Sequence, residues 1–219
     1  MSLGSLARRL LDARLLARVA RSYRALFVDL DAVADCFPET AQGAQLLDVG
    51  SGDGELLNLI LGRRPGLRAT MVDLAPSTGI ALRPELRDRV RLLPATSLAA
   101  YRALGEAPPD LILLSDVLHH VPPAARERFL AEIAAIVGER PVRLVVKEVA
   151  PGSLRARLGR IADRWVSGDR NVQLIAPDEL RALVAQSIPR LRAHDTPLLE
   201  RDPPNYCVVF TRDSEPSRR

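Results

Sequence analysis

The sequence predicts an α/β fold, a mostly parallel sheet with helices on both faces. Three observations predict it. Short apolar runs at 46–49, 67–72, 90–93, 110–115 and 142–149 alternate with segments of helical character. Three glycines, Gly50, Gly52 and Gly54, stand between the first run and the helical segment after it. Two last runs, 191–199 and 206–211, read as a closing strand pair. The chain of 219 residues is 47% hydrophobic, enough for one sizeable domain of this kind.

Each element has its own warrant. Over 5–27, Leu6, Leu10, Leu11, Leu15, Val19, Leu26 and Phe27 recur at roughly helical spacing with arginines between them, which predicts an amphipathic helix. Residues 46–49 suit a buried strand and 55–61 an apolar-faced helix. The second strand, 67–72, ends at Asp73. A helix is expected over 76–87 despite Gly79 and Pro84, then a short strand at 90–93. The Pro108-Pro109 break precedes the fourth strand, 110–115. Phe129, Leu130, Ile133 and Ile136 give 122–137 an apolar helix side, and the fifth strand, 142–149, stops at Pro151-Gly152. A helix is expected over 153–166. Another starts at Pro177, with Asp178 and Glu179 in its first turn.

Composition narrows the function classes. No apolar run approaches the eighteen or so residues of a membrane span, and the N-terminus has no uninterrupted apolar signal core. Cys36 and Cys207, far apart and without metal-ligand spacing, fit a reducing cytoplasm. The net charge is +4 with a pI near 9.7. All but one of the 31 basic residues are arginines, scattered among Ala and Leu. Four phenylalanines, three tyrosines and one tryptophan provide no stacking platform for bases. The basicity is weak evidence for nucleic acid.

Residues 46–55 read Leu-Leu-Asp-Val-Gly-Ser-Gly-Asp-Gly-Glu. A strand, a glycine turn and a helix N-terminus let a ligand approach bare backbone N–H groups. The nicotinamide fingerprint requires a third glycine where Glu55 stands. Asp73 follows the glycines by about twenty residues, at the end of the second strand of a βαβ unit, where a ribose diol is gripped. The pattern D-x-G-x-G-x-G resembles motif I of class I S-adenosylmethionine-dependent methyltransferases, with the resemblance covering about residues 40–212. It implies a Rossmann-like seven-stranded sheet with an antiparallel last strand and N-terminal amphipathic helices. It also implies one domain over 1–212: a helical cap at 1–40, a cofactor-binding core at 41–212 with a substrate-cover insert at about 151–175, and a disordered tail at 213–219.

Ligands in such sheets sit beyond the carboxyl ends of the strands. There the resemblance implies that Gly50, Gly52 and Gly54 admit the methionine part of the cofactor and that Asp48 orders the turn. Asp73 would accept both ribose hydroxyls and Leu74 would pack on adenine. Many family members carry an acid at the third strand end to read the adenine amino group; this chain has Thr96 and Ser97 there. At the fourth, Ser115 would contact the methionine moiety by its backbone. Leu118-His119-His120-Val121-Pro122 resembles the segment found there in small-molecule methyltransferases. One of the two histidines, with His120 slightly preferred, would take the proton from the acceptor.

Lys147, the only lysine, ends the fifth strand. At the pocket rim its ammonium would pair with a substrate anion, Glu148 or Asp163. Tyr23, Arg24 and Trp165 are further substrate-side residues, Trp165 in an insert that also holds Arg155, Arg157, Arg160 and Arg164. Asp202-Pro203-Pro204-Asn205-Tyr206 is similar to the D-P-P-Y tetrapeptide of amino methyltransferases, but Asn205 intervenes and the position is wrong, so it reads as a turn. The expectation is a cytoplasmic enzyme that methylates an oxygen, nitrogen or carbon of a small molecule, without metal, nucleic acid or membrane span. A homodimer stays open. The alternatives are an RNA or protein methyltransferase and a non-catalytic subunit that binds the cofactor.

Overall fold

The computed structural model describes residues 28–153 and 172–212. Residues 1–27 of the cap expected over 1–40, residues 154–171 of the cover expected at about 151–175 and the tail expected from 213 lie outside the described residues, and with them Tyr23, Arg24 and Trp165. Seven strands form one sheet in the order β3-β2-β1-β4-β5-β7-β6. They are β1 (Gln45–Val49), β2 (Arg68–Val72), β3 (Val90–Leu93), β4 (Leu111–Ser115), β5 (Val142–Val149), β6 (Arg192–Asp195) and β7 (Asn205–Arg212). The first five run parallel, while β7 is antiparallel to both β5 and β6. The chain order reverses direction across the sheet between β1 and β4, which is where such sheets open a crevice for ligands.

Among the described residues the α-helices are α1 (Leu30–Asp35), α2 (Glu55–Arg63), α3 (Leu98–Ala103), α4 (Pro123–Val137), α5 (Pro177–Ser187) and α6 (Leu198–Arg201). Successive strand residues point to opposite faces, so the continuous apolar runs feed two cores. Leu47, Ile112, Leu114, Val146 and Phe210 pack with Leu130, Ile133, Leu180 and Val184 of α4 and α5. Leu46, Leu113, Val145, Cys207 and Val209 pack with Val33 of α1 and Leu57, Ile60 and Leu61 of α2. Cys36 and Cys207, distant in sequence, both lie in this second core, where the Cys36 thiol donates to the Ala32 carbonyl at 3.2 Å. Both are free thiols.

Two elements differ from expectation. Residues 76–87 do not form the predicted α-helix; a 3-10 helix spans Pro84–Arg89 instead. The backbone before it bonds to the glycine turn, with Gly79 N–H donating to the Gly52 carbonyl (2.9 Å) and Ala81 N–H to that of Asp53 (2.8 Å). The left-handed φ of +71° at Gly79 also stops helix propagation. The strand expected over 191–199 ends at Asp195, because Pro197 has no N–H for a ladder and α6 follows at once. One short helix, α3 capped by Ser97, escaped the sequence reading, while α1, capped by Asp29, falls within the helical cap expected over 1–40. Among the described residues no helix is long and apolar enough to cross a membrane.

Candidate active site

At the end of β1 the chain turns through Gly50, Gly52 and Gly54, all at positive φ, and Gly54 opens α2 from a left-handed conformation. Two of these glycines have distinct reasons to be glycine. A Cβ on Gly50 would lie 2.8 Å from Cγ2 of Val117, so the turn packs flush against the end of β4. Among the described residues nothing lies within 4 Å of a Cβ on Gly52, so none of them covers this backbone. Between them the Ser51 hydroxyl is buried with no partner among the described residues.

Asp73 holds the turn from the side. One carboxylate oxygen accepts the Gly52 N–H at 2.8 Å and the other accepts the Ala75 N–H at 2.8 Å. Leu74, beside it, is an apolar side chain left 75% exposed. Asp48 is buried beneath, and burial, then the charge of Asp73, pushes its carboxyl up to about 7. At the end of β3 the hydroxyls already have partners. Thr96 Oγ1 donates to the Pro94 carbonyl at 3.0 Å, and Ser97 Oγ accepts from the Ala100 N–H at 3.1 Å as the cap of α3.

The ends of β4 and β5 carry a denser arrangement. Ser115 pairs with Lys147 across the two strands. The next residue, Asp116, sits at φ +59°, a left-handed conformation that costs a non-glycine residue of order 1–3 kcal/mol. Its two carboxylate oxygens accept from the Lys147 ammonium at 2.8 and 2.7 Å. Lys147 is not at the rim, as the sequence suggested, but 0% exposed, and it pairs with Asp116 rather than Glu148. Alternation explains this, since Lys147 shares the face of Val145 and Glu148 that of Val146. A buried ammonium requires such a partner. Burial works to raise the Asp116 carboxyl, but Lys147, with the imidazoles of His119 and His120, holds it below the ordinary carboxylate value.

Glu148, also fully buried, organises the turn that follows β4. One of its oxygens accepts the Val117 N–H (3.1 Å) and the Leu118 N–H (2.7 Å); the other meets His119 Nδ1 at 2.5 Å. The 3-10 turn Leu118–His120 is thereby capped by a carboxylate, which suits the positive end of a helical turn. His119 is 3% exposed, whereas His120 is half-buried, its ring centroid 4.2 Å from that of His119. From behind, buried Arg126 of α4 donates to the carbonyls of Leu118 and Val121 (both 3.2 Å) and to that of Gln173. Tyr206 of β7 donates to the Ile175 carbonyl at 2.9 Å, closing the same wall.

Sequence reasoning named His119, His120 and Lys147 but gave Asp116 and Arg126 no role. Arg126 had no signal, being one of thirty arginines. Asp116 had one, an acidic residue directly after a buried strand. One ligand-type atom each from Asp116, His119 and Glu148 lie within 4.8 Å of one another. A cation there would have to displace Lys147 from Asp116, and His119 and two amides from Glu148.

A family model described as a methyltransferase domain matches residues 17–187. No curated protein matches the chain. Among solved structures, an O-methyltransferase family 2 protein from Planctomyces limnophilus, in complex with apigenin, is 22% identical. The match covers 91% of this chain and 61% of that one at a TM-score of 0.68. The mitomycin 7-O-methyltransferase MmcR is 24% identical, with 84% and 53% covered at a TM-score of 0.63. The N,N-8-amino-8-demethyl-D-riboflavin dimethyltransferase RosA from Streptomyces davawensis is 19% identical, with 90% and 57% covered at 0.63. At these identities the likeness bears on the fold, and the chain spans about three-fifths of these neighbours' length or less.

Proposed function

The chain belongs to the methyltransferase-domain family, and on that premise we propose that it transfers the methyl group of S-adenosylmethionine to an oxygen or nitrogen of a small-molecule acceptor. One observation carries the reading. The open glycine turn with Asp73 and the His119–Glu148 pair sit at adjoining strand ends, joined where Val117 packs on Gly50. The cofactor brings a methyl group already activated on a positively charged sulfur. What remains for the protein is to hold two molecules in line and to take a proton from the acceptor.

The residues fit that cofactor. Gly52 offers open backbone, the Ser51 hydroxyl lacks a partner among the described residues, and Leu74 is an uncovered apolar surface beside the Asp73 carboxylate. Asp73 would grip the ribose hydroxyls with lone pairs its two amide bonds leave over, and Leu74 would cover adenine. Gly50, Gly54, Asp48 and Ser115 would frame the methionine part. Thr96 and Ser97, with hydroxyls already engaged, would reach adenine through backbone groups.

On the acceptor side His119 is the better base. A carboxylate on Nδ1 fixes the tautomer with its proton there, which makes Nε2 the nitrogen that receives the acceptor's proton. Orientation of the two reactants is worth about 7–11 kcal/mol of barrier and a positioned base about 10²–10⁴-fold. The molecules in the neighbours' names, apigenin in the first complex, mitomycin for MmcR and an amino-demethyl-riboflavin for RosA, favour a ring-bearing small molecule as acceptor. The test is incubation with isotope-labelled S-adenosylmethionine and small-molecule extracts, followed by mass spectrometry. Products heavier by one CH₂, absent with His119→Ala, are expected. Failure of the intact protein to bind the cofactor in calorimetry would overturn the reading.

A further inference from the structure

We infer that Asp116 determines specificity for the acceptor, its carboxylate reading a hydrogen-bond donor, an O–H or N–H, that the acceptor carries beside the atom to be methylated. This rests on the methyl transfer proposed above, but not on which group takes the acceptor's proton.

Asp116 follows β4 directly, at the crevice between β1 and β4 where ligands of such sheets lie. The next residue, Val117, packs on Gly50 of the turn that would frame the methionine part of the cofactor. The Asp116 carboxylate is held from the other side. Both of its oxygens accept from Lys147 of β5, and one lies within 4.8 Å of ligand-type atoms of Glu148 and His119. In the sheet order β2-β1-β4-β5, the glycine turn and Asp73 stand on one side of β4 and the partners of this carboxylate on the other. A cofactor on the glycine turn therefore leaves Asp116 on the acceptor's side of the crevice, one residue from the cofactor's wall.

An ionised carboxylate only accepts hydrogen bonds, and each of its oxygens has more than one lone pair. Lys147 takes one bond on each oxygen, and no other side chain among the described residues bonds to them. The Asp116 side chain is 37% exposed while Lys147 is entirely covered, so lone pairs stay open to a ligand that the ammonium itself cannot meet. Burial acts to raise this carboxyl, but Lys147, by charge and hydrogen bonds, and the two imidazoles hold it below its ordinary value. It stays ionised at neutral pH, so the group it meets has to donate. Stability does not account for the arrangement. A buried ion pair adds little over apolar residues of similar size, and here it is kept together with a left-handed backbone at φ +59°. That backbone, with the Asp116 N–H donating to the Lys147 carbonyl at 2.9 Å, fixes the direction of the carboxylate before a ligand arrives.

The test compares phenol, 1,2-dihydroxybenzene and 2-methoxyphenol as acceptors with S-adenosylmethionine. Beside the reacting hydroxyl these probes carry nothing, a donor and an acceptor only. The same comparison is made with apigenin and its derivatives bearing a hydroxyl or methoxy group beside the hydroxyl of the separate phenol ring. A hydrogen bond to a charged group is worth about tenfold or more, so kcat/KM of the parent should favour the dihydroxy probes by at least about tenfold, chiefly through KM. Asp116→Asn keeps an oxygen for Lys147 and suits the left-handed backbone, but offers an NH₂ donor in place of a second accepting oxygen. The preference should shrink to within about threefold, with the methoxy probes gaining relative to the dihydroxy ones. A role confined to holding Lys147 would lower all probes alike, and that result would overturn the inference. Equal kcat/KM for the three probes in the parent, or methylation of none of them by a protein that binds the cofactor, would overturn it as well. Should Asp116→Asn fail to fold, the ranking of probes by the parent decides alone. A parent that does not bind S-adenosylmethionine in calorimetry would instead overturn the methyl-transfer reading itself.

Discussion

Asp73 accepts the Gly52 N–H at 2.8 Å, so the carboxylate that ends β2 holds the turn that ends β1. The residue expected to grip a ribose thus also shapes the backbone on which the rest of the cofactor lies. Its second oxygen anchors Ala75, which fixes the carboxylate plane before any ligand arrives.

Replacing Asp73 by alanine is therefore expected to act twice, by deleting a charged acceptor and by loosening Gly52. Hydrogen bonds to charged groups are worth about 1.5–3 kcal/mol each, so S-adenosylmethionine affinity should fall at least about tenfold. Asp73→Asn keeps an oxygen for one amide and should lose less. Titration calorimetry on both variants measures this, and an affinity equal to the parent's would remove Asp73 from the site.

Gly50 and Gly52 should separate stability from binding. Gly50→Ala drives a methyl group to 2.8 Å from Val117 and strains a φ of +65°, so thermal unfolding should show a lowered midpoint. Gly52→Val meets no atom of the described residues at its Cβ; its cost in the fold is the left-handed backbone, about 1–2 kcal/mol. The side chain would instead occupy the open space the cofactor needs, and binding should vanish from a folded protein. Tight binding by Gly52→Val would show that the turn faces something else.

Asp48 gives a pH dependence with a definite sign. Burial raises its carboxyl from 3.8 to about 7 in the folded protein. The folded state thus holds a proton that the unfolded chain releases. The stability contributed by that proton is full below about pH 4 and is lost as pH rises through about 7. Asp48→Asn removes the dependence. Relative to the parent, the variant should gain about 2–4 kcal/mol on passing from pH 4 to pH 8, from denaturant melts at both values. A constant difference between the two proteins would mean that Asp48 titrates alike folded and unfolded.

Most of this architecture was legible because the strands are continuous apolar runs and the glycine turn and Asp73 carry a local pattern. The mostly parallel sheet followed from alternation with helices, and 46–49 and 142–149 differ from the observed strands by at most a residue. The failures have a common cause. Over 76–87 the local pattern suggested a helix, but the amides of Gly79 and Ala81 are used by the glycine turn, a tertiary demand that no local spacing encodes. Lys147 was noticed for its rarity, yet its partner depends on the cross-strand register Ser115↔Lys147 and on the left-handed turn at Asp116. Glu148 stood next to Lys147 in the sequence and invited pairing with it. The strand sends the two to opposite faces, and so gives Glu148 to His119.

That last pairing yields the sharpest substitution. Glu148→Gln keeps an oxygen for the amides of Val117 and Leu118, so the turn after β4 should hold its shape. Its second position becomes an NH₂ donor facing His119 Nδ1, where a carboxylate accepted before. The imidazole must then carry its proton on Nε2, and the nitrogen proposed to receive the acceptor's proton is blocked. Such a tautomer reversal removes the base without removing the ring. Methyl transfer should fall by about 10²–10⁴-fold while S-adenosylmethionine affinity stays at the parent's value. NMR of the labelled imidazole would report the tautomer directly. Full activity with a reversed tautomer would mean that the acceptor's proton leaves by another path, with half-buried His120 as the next group to replace.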